Sequence, residues 1–467
     1  MLQKLGLNLA VRSIFLFLLC SCQLEPPYYP PEVRAPTTWK YAEEESSSSE
    51  CINYWWEIFQ DPVLNQLEEQ AIANNPGLAA VLERVEQARD FAGIVKSQLF
   101  PQVNAVPYFI NEGVFVEKFT NRGNYLLREH IREYAVPLRL TYELDLWSRY
   151  QNEYKSAKRI AEAEIFDYQA AFLILTTDLA SAYFQLRSQD TLIDLFRTTI
   201  ETRKKALSIN ISRFRNRISN YNPVALSQLD LSNVETQYED AIRVRALLEN
   251  LIATLIGTLP IDFSLEHSPI YESPPKIPSG CPSDMIQRRP DLASKERLIA
   301  SIHAQIGVAY ASYFPSIELI GQGGLISPKL GDFLSTRSRF WMIGTDILQY
   351  VFDAGARDYN LKMTWAEYRE SVAVYKQNVL QAFGEVENAL VNIEQISKER
   401  QTAENSIKAA QKAYSIAFHR YLEGVSFYLE VADDERQLLD NQRIYTSLLG
   451  LSYFNTIQLI KALGGGW

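Results

Sequence analysis

The feature that most limits how this chain can fold is a long stretch, residues 151–222, that contains neither glycine nor proline. Apolar residues recur along it at steps of three and four, which predicts a helix with an apolar seam. A helical pattern much longer than about 25 residues is typical of a coiled coil or a helical repeat. This feature alone also fits a solvent-exposed rod that pairs with another rod. The seam positions include Ile165, Tyr168, Phe172, Leu175, Leu179 and Tyr183.

The segment just before this stretch has a two-residue period instead. Residues 134–149 read "YAVPLRLTYELDLWSR", so that apolar and polar side chains alternate. Alternation of this kind predicts a strand with one apolar and one polar face. The apolar set is Val136, Leu138, Leu140, Tyr142, Leu144 and Leu146, and the polar set is Pro137, Arg139, Thr141, Glu143 and Asp145.

The same order of strands and long helix occurs twice along the chain. "SQLFPQVNAVPYF" (97–109) returns as "ASYFPSIELIGQG" (311–323), and each copy is followed by a second strand, a turn with an arginine and a long helical stretch. The matching segments are offset by about 205 to 215 residues throughout, which indicates a duplication. We predict a first copy at 55–258, a proline-rich linker at 259–283 and a second copy at 284–467. The predicted second strands lie at 134–147 and 340–352.

The predicted strands have the length that a tilted strand needs to cross a bilayer, about 10 residues. Aromatic side chains cluster near their ends, as they do at membrane interfaces, although a soluble sandwich strand would look alike. An open sheet cannot exist in lipid because its unpaired edge groups are too costly, so about four strands per chain require an oligomer. Three copies would give a trimeric 12-stranded transmembrane β-barrel, with Arg139, Thr141, Glu143 and Asp145 facing a water-filled lumen.

The N-terminus predicts export and lipid attachment. Lys4 and Arg12 precede a short apolar run, which is typical of a signal peptide at 1–21. The following "LCSC" resembles a bacterial lipobox in which Cys22 carries the lipid, and Gln23 after it favours the outer membrane. Residues 22–54 then predict an extended, lipid-anchored tether. A metal or redox role for Cys20 and Cys22 is the weaker alternative.

Other classes of function find little support in the composition. The formal net charge of −10 gives no reason to expect nucleic acid as a partner. His130, His267, His303 and His419 are isolated in the sequence, and no spacing predicts a metal site or an enzyme. Cys51 and Cys281 are either free or joined by a disulfide. No cofactor is predicted apart from the covalent lipid on Cys22.

An ordered set of fragments resembles the outer-membrane factors of tripartite export pumps, the outer-membrane efflux lipoproteins. It includes "YELDLWSR" (142–149), "RRPDLASKERLIASIHAQIGVAYASYFPSIELIGQGG" (288–324), "FDAGARD" (352–358) and "KALGGGW" (461–467). The resemblance implies a mixed, mainly α fold in which a trimeric barrel continues into a long periplasmic coiled-coil barrel. It also implies a homotrimer in outer-membrane lipid that meets a periplasmic adaptor and an inner-membrane transporter of the RND type.

The same resemblance assigns roles near the second helical turn, "RYLEGVSFYLEVADDER". It implies an adaptor-contact tip at Gly424, Val425 and Ser426, with Val224 and Ala225 in the first copy. In the turn of the first copy, Pro223 stands near the position where the family usually has glycine. This turn is expected to be about four residues longer than the turn of the second copy. It also implies a periplasmic gate, in which acidic rings would favour cations and tyrosine and arginine would hold the helices shut. The gate residues are Tyr421, Leu429, Glu430, Asp433 and Arg436.

The function expected from these observations is an exit duct that passively conducts small amphiphilic compounds out of the cell. One alternative is the outer-membrane duct of type I protein secretion, which shares this architecture. A second is a lipid-anchored coiled-coil structural lipoprotein without a pore.

Overall fold

A computed structural model describes residues 24–41, 54–120, 123–278 and 282–465. These residues fall into two units. The sheet unit comprises residues 24–31, 85–164 and 295–374, and the helical unit comprises residues 32–84, 165–294 and 375–465. The described residues contain no helix that is both long and apolar enough to cross a membrane.

Helices dominate the described residues, and several begin at a proline, whose missing N–H costs nothing in the first turn. The Asn75 side chain accepts a hydrogen bond from the Leu78 N–H at 2.9 Å, so Asn75 caps the helix that starts at Pro76, as its sequence predicts. The helices are α1 (Pro62–Asn74), α2 (Pro76–Ser97), α3 (Arg149–Arg215), α4 (Asn222–Leu255), α5 (Pro282–Arg288), α6 (Pro290–Ala311), α7 (Ala356–Leu422) and α8 (Tyr428–Leu463).

The strands form one antiparallel sheet in the sheet unit. They are β1 (Gln102–Ala105), β2 (Tyr108–Thr120), β3 (Gly123–Glu143), β4 (Ser316–Ser327) and β5 (Arg339–Leu348). Both β1 and β2 pair with β3, so they act as one interrupted strand, and β3 and β5 flank β4. The sheet therefore has the four strand positions that the sequence predicts. β3 ends at Glu143, so the predicted strand residues 144–147 lie outside it.

The duplication is visible in the elements themselves. The long helices α3 and α7 each have 67 residues, and the helices α2 and α6 each have 22. The helices that return from the two long helices are also similar, with 34 residues in α4 and 36 in α8. The predicted fold class, mixed and mainly α with an internal repeat, is confirmed.

The helical unit has an aromatic core where the short 3-10 helix Trp55–Phe59 packs against the long helices. Trp55 and Trp56 are both 2% exposed. The Trp55 indole N–H donates to Thr176 Oγ1 at 3.2 Å, which satisfies its polar atom inside the core. Burying two tryptophans of this size contributes several kcal/mol to stability, at about 25 cal/mol per Å² of apolar surface.

Candidate functional site

The polar face predicted for β3 continues into β1, β4 and β5. Directly paired residues lie on the same face of a sheet. The strand register therefore shows which residues of the neighbouring strands share the face of Arg139, Thr141 and Glu143. Three cross-strand rows result, and their members are Asn104, Arg139, Gln322 and Met342; Gln102, Thr141, Ile320 and Gly344; and Glu143, Glu318 and Asp346. The last row puts three carboxylates side by side near the periplasmic ends predicted for these strands.

The other face of the sheet is mostly apolar in the rows that join β3, β4 and β5. Leu138 pairs with Gly323, which pairs in turn with Trp341, and Leu140 connects in the same way to Ile343 through Gly321. These side chains are exposed in the single chain, Trp341 to 79% and Ile343 to 81%. In these rows the sheet therefore presents one largely polar and one mostly apolar surface, and the apolar side chains are uncovered.

Asp145 differs from the other predicted lumen residues, because it lies in the turn after β3 rather than in the strand. Its carboxylate accepts the backbone N–H groups of Tyr150 at 3.1 Å and Gln151 at 2.9 Å. Free N–H groups at a helix start attract a carboxylate, so Asp145 stabilises the beginning of α3. The prediction that it extends the strand face is wrong for this reason.

The turn between α7 and α8, residues 423–427, will be called tip 2. Gly424 has φ +78°, and its N–H donates to the Tyr421 carbonyl at 3.1 Å. The Val425 N–H reaches back to the Arg420 carbonyl at 2.9 Å, which completes the usual glycine-terminated helix end. Val425 is 67% exposed and Phe427 is 87% exposed, so tip 2 carries two uncovered apolar side chains.

The turn between α3 and α4, residues 216–221, will be called tip 1, and it copies tip 2 with a different residue. Arg217 has φ +57°, and its N–H donates to the Phe214 carbonyl at 3.0 Å. Arg217 therefore occupies the position of Gly424. The expectation that Pro223 stands there is wrong, since Pro223 belongs to the first turn of α4. Tip 1 is longer by one residue rather than about four.

The two residues predicted as the contact of tip 1 differ in exposure. Val224 is only 8% exposed and lies within α4, whereas Ala225 is exposed. At tip 2, Gly424 and Val425 are exposed and Ser426 is half-buried. Of the five predicted contact residues, Ala225, Gly424 and Val425 are therefore the exposed ones, while Val224 presents little surface.

Tyr421 connects the second helical hairpin, formed by α7 and α8, to the first, formed by α3 and α4, inside the helical unit. Its hydroxyl donates to Asn210 Oδ1 on α3 at 2.6 Å, and the Arg213 guanidinium lies 4.5 Å from the centre of its ring. The side chain is 5% exposed, and burial raises the pKa of its hydroxyl, so it remains a donor. A buried hydrogen bond and a cation–π contact together bind α7 to α3.

The charged residues of the predicted gate also lie together. Arg420 binds Glu430 at 2.9 Å across tip 2, and Arg436 binds Asp433 at 3.3 Å. Arg436 also lies 3.6 Å from Asp230 on α4, so it connects α8 to the first hairpin. Leu429, the predicted apolar constriction, is 59% exposed.

A buried charged group beside this gate was not predicted from the sequence. Arg203 on α3 lies 3.7 Å from Glu435 on α8, and both side chains are buried. Burial raises the pKa of Glu435, an effect that neighbouring Asp230 reinforces and Arg203 opposes. Asp434 also has a raised pKa, because of partial burial and the charges of Asp433 and Glu430. No local motif marks this group, since its members come from three separate helices.

The predicted lipid attachment site, Cys22, lies outside the described residues, as do Cys51 and Cys281. The residues that follow Cys22 are described from Leu24 onward. Glu25 binds Lys155 at 2.9 Å and the His303 imidazole at 3.3 Å in the sheet unit. Within the described residues no group of three or more histidine, cysteine, aspartate or glutamate side chains is placed to hold a metal ion.

Comparison with known proteins gives one consistent family. A model of the family described as outer membrane efflux protein matches residues 67–258 and 281–465. The probable efflux pump outer membrane protein TtgC of Pseudomonas putida is 28% identical over 99% of this chain and 95% of its own length. The pyoverdine export outer membrane protein OpmQ of Pseudomonas aeruginosa is 27% identical over 98% of this chain and 97% of its own.

Solved structures agree with the sequence relatives. The outer-membrane channel OprN superposes with a TM-score of 0.88 at 26% identity, covering 96% of this chain and 100% of OprN. The CmeC outer membrane channel of Campylobacter jejuni has a TM-score of 0.84 at 23% identity, with 95% of both chains covered. The second of these likenesses concerns the fold alone.

Proposed function

Because this chain belongs to the outer membrane efflux protein family, we propose that it conducts small amphiphilic compounds passively through a homotrimeric pore. As a member of that family it lies in the outer membrane and serves there as the outer-membrane channel of an efflux system. Relatives are named for toluene efflux and pyoverdine export, which are exits for small molecules. Conduction is passive in this proposal because the partner transporter supplies the energy.

The observation that carries the pore is the two-faced sheet with free edges. Among the described residues, β5 pairs only with β4, and β1 and β2 pair only with β3. Unpaired edges cost several kcal/mol per group in lipid, so the edge strand of one copy pairs with that of the next. Three copies close a barrel of about twelve strands. The apolar face with Trp341 and Ile343 then meets lipid, and the face with Arg139, Thr141 and Glu143 lines the lumen.

The gate is the second part of the proposal. Glu430 and Asp433 of three copies surround the periplasmic opening, and their clustered charge attracts cations. Leu429 narrows the opening, while Tyr421 and Arg436 hold α7 and α8 to the first hairpin and so keep the opening small.

The partners follow from the tips. A periplasmic adaptor contacts Ala225 at the start of α4 and Gly424 and Val425 in tip 2, and an RND-type inner-membrane transporter supplies both substrate and energy. The lipid on Cys22 adds a second attachment to the outer membrane, in addition to the barrel.

Purified protein reconstituted in a planar bilayer tests the pore. We expect a trimer by light scattering and discrete, cation-selective conductance steps. A monomer without conductance would contradict both the trimer and the pore.

A gate variant tests the closing contacts separately. Tyr421→Phe removes the hydroxyl that donates to Asn210 and leaves a buried amide oxygen unsatisfied, which costs about 1–3 kcal/mol. We expect a higher mean conductance than in the wild type. The matched control is Tyr359→Phe, since Tyr359 is 69% exposed and lies in the sheet unit. Equal conductance of Tyr421→Phe and wild type would remove Tyr421 from the gate.

A further inference from the structure

The linker between the two copies is held to the helical unit by side chains of α3 and α4. Apart from the short 3-10 helix Pro260–Asp262, residues 259–278 form no helix or strand. The Arg187 guanidinium donates to the Glu266 carbonyl at 2.6 Å, and Arg245 donates to the Leu265 carbonyl at 2.7 Å. The linker amides also donate outward, the Ser268 N–H to Asp190 Oδ2 at 3.0 Å and the Ile270 N–H to Thr191 Oγ1 at 3.0 Å.

His267 lies at the centre of these contacts and faces a carboxylate with each ring nitrogen. Nδ1 is 3.1 Å from Asp190 Oδ1, and Nε2 is 3.0 Å from Asp194 Oδ1. An ionised carboxylate only accepts hydrogen bonds, so each of these contacts requires a proton on the imidazole nitrogen. A neutral imidazole carries one such proton and an imidazolium carries two. The ring can therefore donate hydrogen bonds to both carboxylates only when it is charged.

Arginine side chains compensate the negative charge of both carboxylates. Asp190 is fully buried and also binds Arg187 at 3.2 Å and Arg245 at 2.7 Å. Asp194 is half-buried and binds Arg197 at 3.2 Å. From α4, Glu249 faces the same group, where it pairs with Arg245 at 3.3 Å and accepts the Leu265 N–H. His267 itself is 36% exposed, so its ring exchanges protons with solvent without unfolding.

We propose that His267 is a proton-operated clasp that fastens the linker between the two copies to α3. In mildly acidic conditions the imidazolium bridges Asp190 and Asp194 and holds residues 265–270 in place. As the pH rises the ring loses one proton, and one nitrogen then faces a carboxylate oxygen without a hydrogen between them. The linker loosens locally, while Arg187 and Arg245 continue to hold Asp190 in the core. Histidine is the side chain type whose ordinary pKa lies between pH 5 and 8.

Amide hydrogen exchange of the full-length protein in detergent tests the clasp, because the linker amides report on it directly. Protection factors, corrected for the intrinsic effect of pH on exchange, are measured at pH 5.5 and pH 8 for the peptide that contains Ser268 and Ile270. We expect about a tenfold loss of protection at pH 8, comparable to one hydrogen bond to a charged group. His267→Gln is expected to show the lower protection at both pH values.

Two further variants make the result specific. Asp194→Asn is expected to abolish the pH dependence and keep the protection, because an amide can accept from the charged ring or donate to the neutral one. His419→Gln is the matched control, since His419 is an exposed histidine on α7 of the helical unit, and it is expected to behave as the wild type. Equal protection of the wild-type linker at both pH values would overturn the clasp, and so would a pH dependence that survives His267→Gln. The hydrogen-exchange measurements do not depend on conductance, so the clasp and the pore can each be contradicted without the other.

Discussion

Glu68 is a carboxyl group buried in the interior of the helical unit. It lies on α1 between Leu64, Leu67 and Ala71, which belong to the aromatic core. Both of its oxygens are buried, and neither has a hydrogen-bond partner among the described residues. Burial raises the pKa of Glu68 well above its ordinary value, because the charged form would lose its hydration. Burial therefore favours the neutral form of Glu68 in the folded state.

This raised pKa has a definite effect on stability. An unfolded glutamate ionises at about pH 4.3, while folded Glu68 stays protonated to a higher pH, so unfolding releases a proton in between. The free energy of unfolding therefore falls as pH rises through that window, by up to about 1.4 kcal/mol per pH unit. The glutamine side chain of Glu68→Gln stays neutral, so the free energy of unfolding of this variant does not fall in this way as the pH rises.

We expect the thermal midpoint of Glu68→Gln to exceed that of the wild type at pH 7, with a difference that shrinks towards pH 4. The neighbouring Glu69→Gln is the matched control, because Glu69 is exposed on the same helix. A difference that is the same at both pH values would show that Glu68 is ionised in the folded protein.

The helical hairpins illustrate which parts of the site the sequence predicts well. Two long helices, their returning partners and the polar face of β3 follow from periodicity, because a pattern of many residues outweighs any single one. Asp145 continues the alternation in the sequence but not in the strand, since the start of α3 needs a carboxylate at that point. The contact between Arg203 and Glu435 joins residues far apart in the chain, and periodicity carries no information on such pairs.

Tip 1 is the element where a pattern of residues misleads most clearly. Proline in "NYNPVALSQ" suggests that the turn is centred near Pro223, whereas the left-handed position falls on Arg217. A side chain with a β-carbon is strained there by roughly 1–2 kcal/mol, so the sequence gives no glycine signal to find. The equivalence with Gly424 appears only in the backbone hydrogen bonds.

This equivalence predicts opposite effects for reciprocal substitutions. Arg217→Gly is expected to stabilise the first hairpin by about 1 kcal/mol, because glycine adopts positive φ without strain. Gly424→Ala is expected to destabilise the second by a similar amount, and by backbone strain alone, since a β-carbon there would meet no atom within 4 Å. Limited proteolysis at the two tips measures both changes. Unchanged cleavage in both variants would mean that the left-handed conformation of these turns costs nothing.

The assembled channel depends on the uncovered face of the sheet, so a charge placed there tests the membrane orientation. Ile343 lies in the middle of β5, is 81% exposed and belongs to the apolar face. Ile343→Lys is expected to cost about 2–4 kcal/mol per copy if this face meets lipid near the bilayer centre. Met342→Lys is the matched control, because the adjacent residue lies on the opposite face, in the row of Arg139 and Gln322.

Both variants are made in a Cys22→Ser background, so that the lipid cannot hold the protein at the membrane. We expect Met342→Lys to remain a detergent-dependent trimer in the outer-membrane fraction and Ile343→Lys to be lost from it. Equal loss of both variants would argue that the two faces have the same surroundings, which a barrel wall does not allow. A Cys22→Ser protein that is soluble without detergent would favour a lipid-anchored spacer and exclude a membrane-spanning pore.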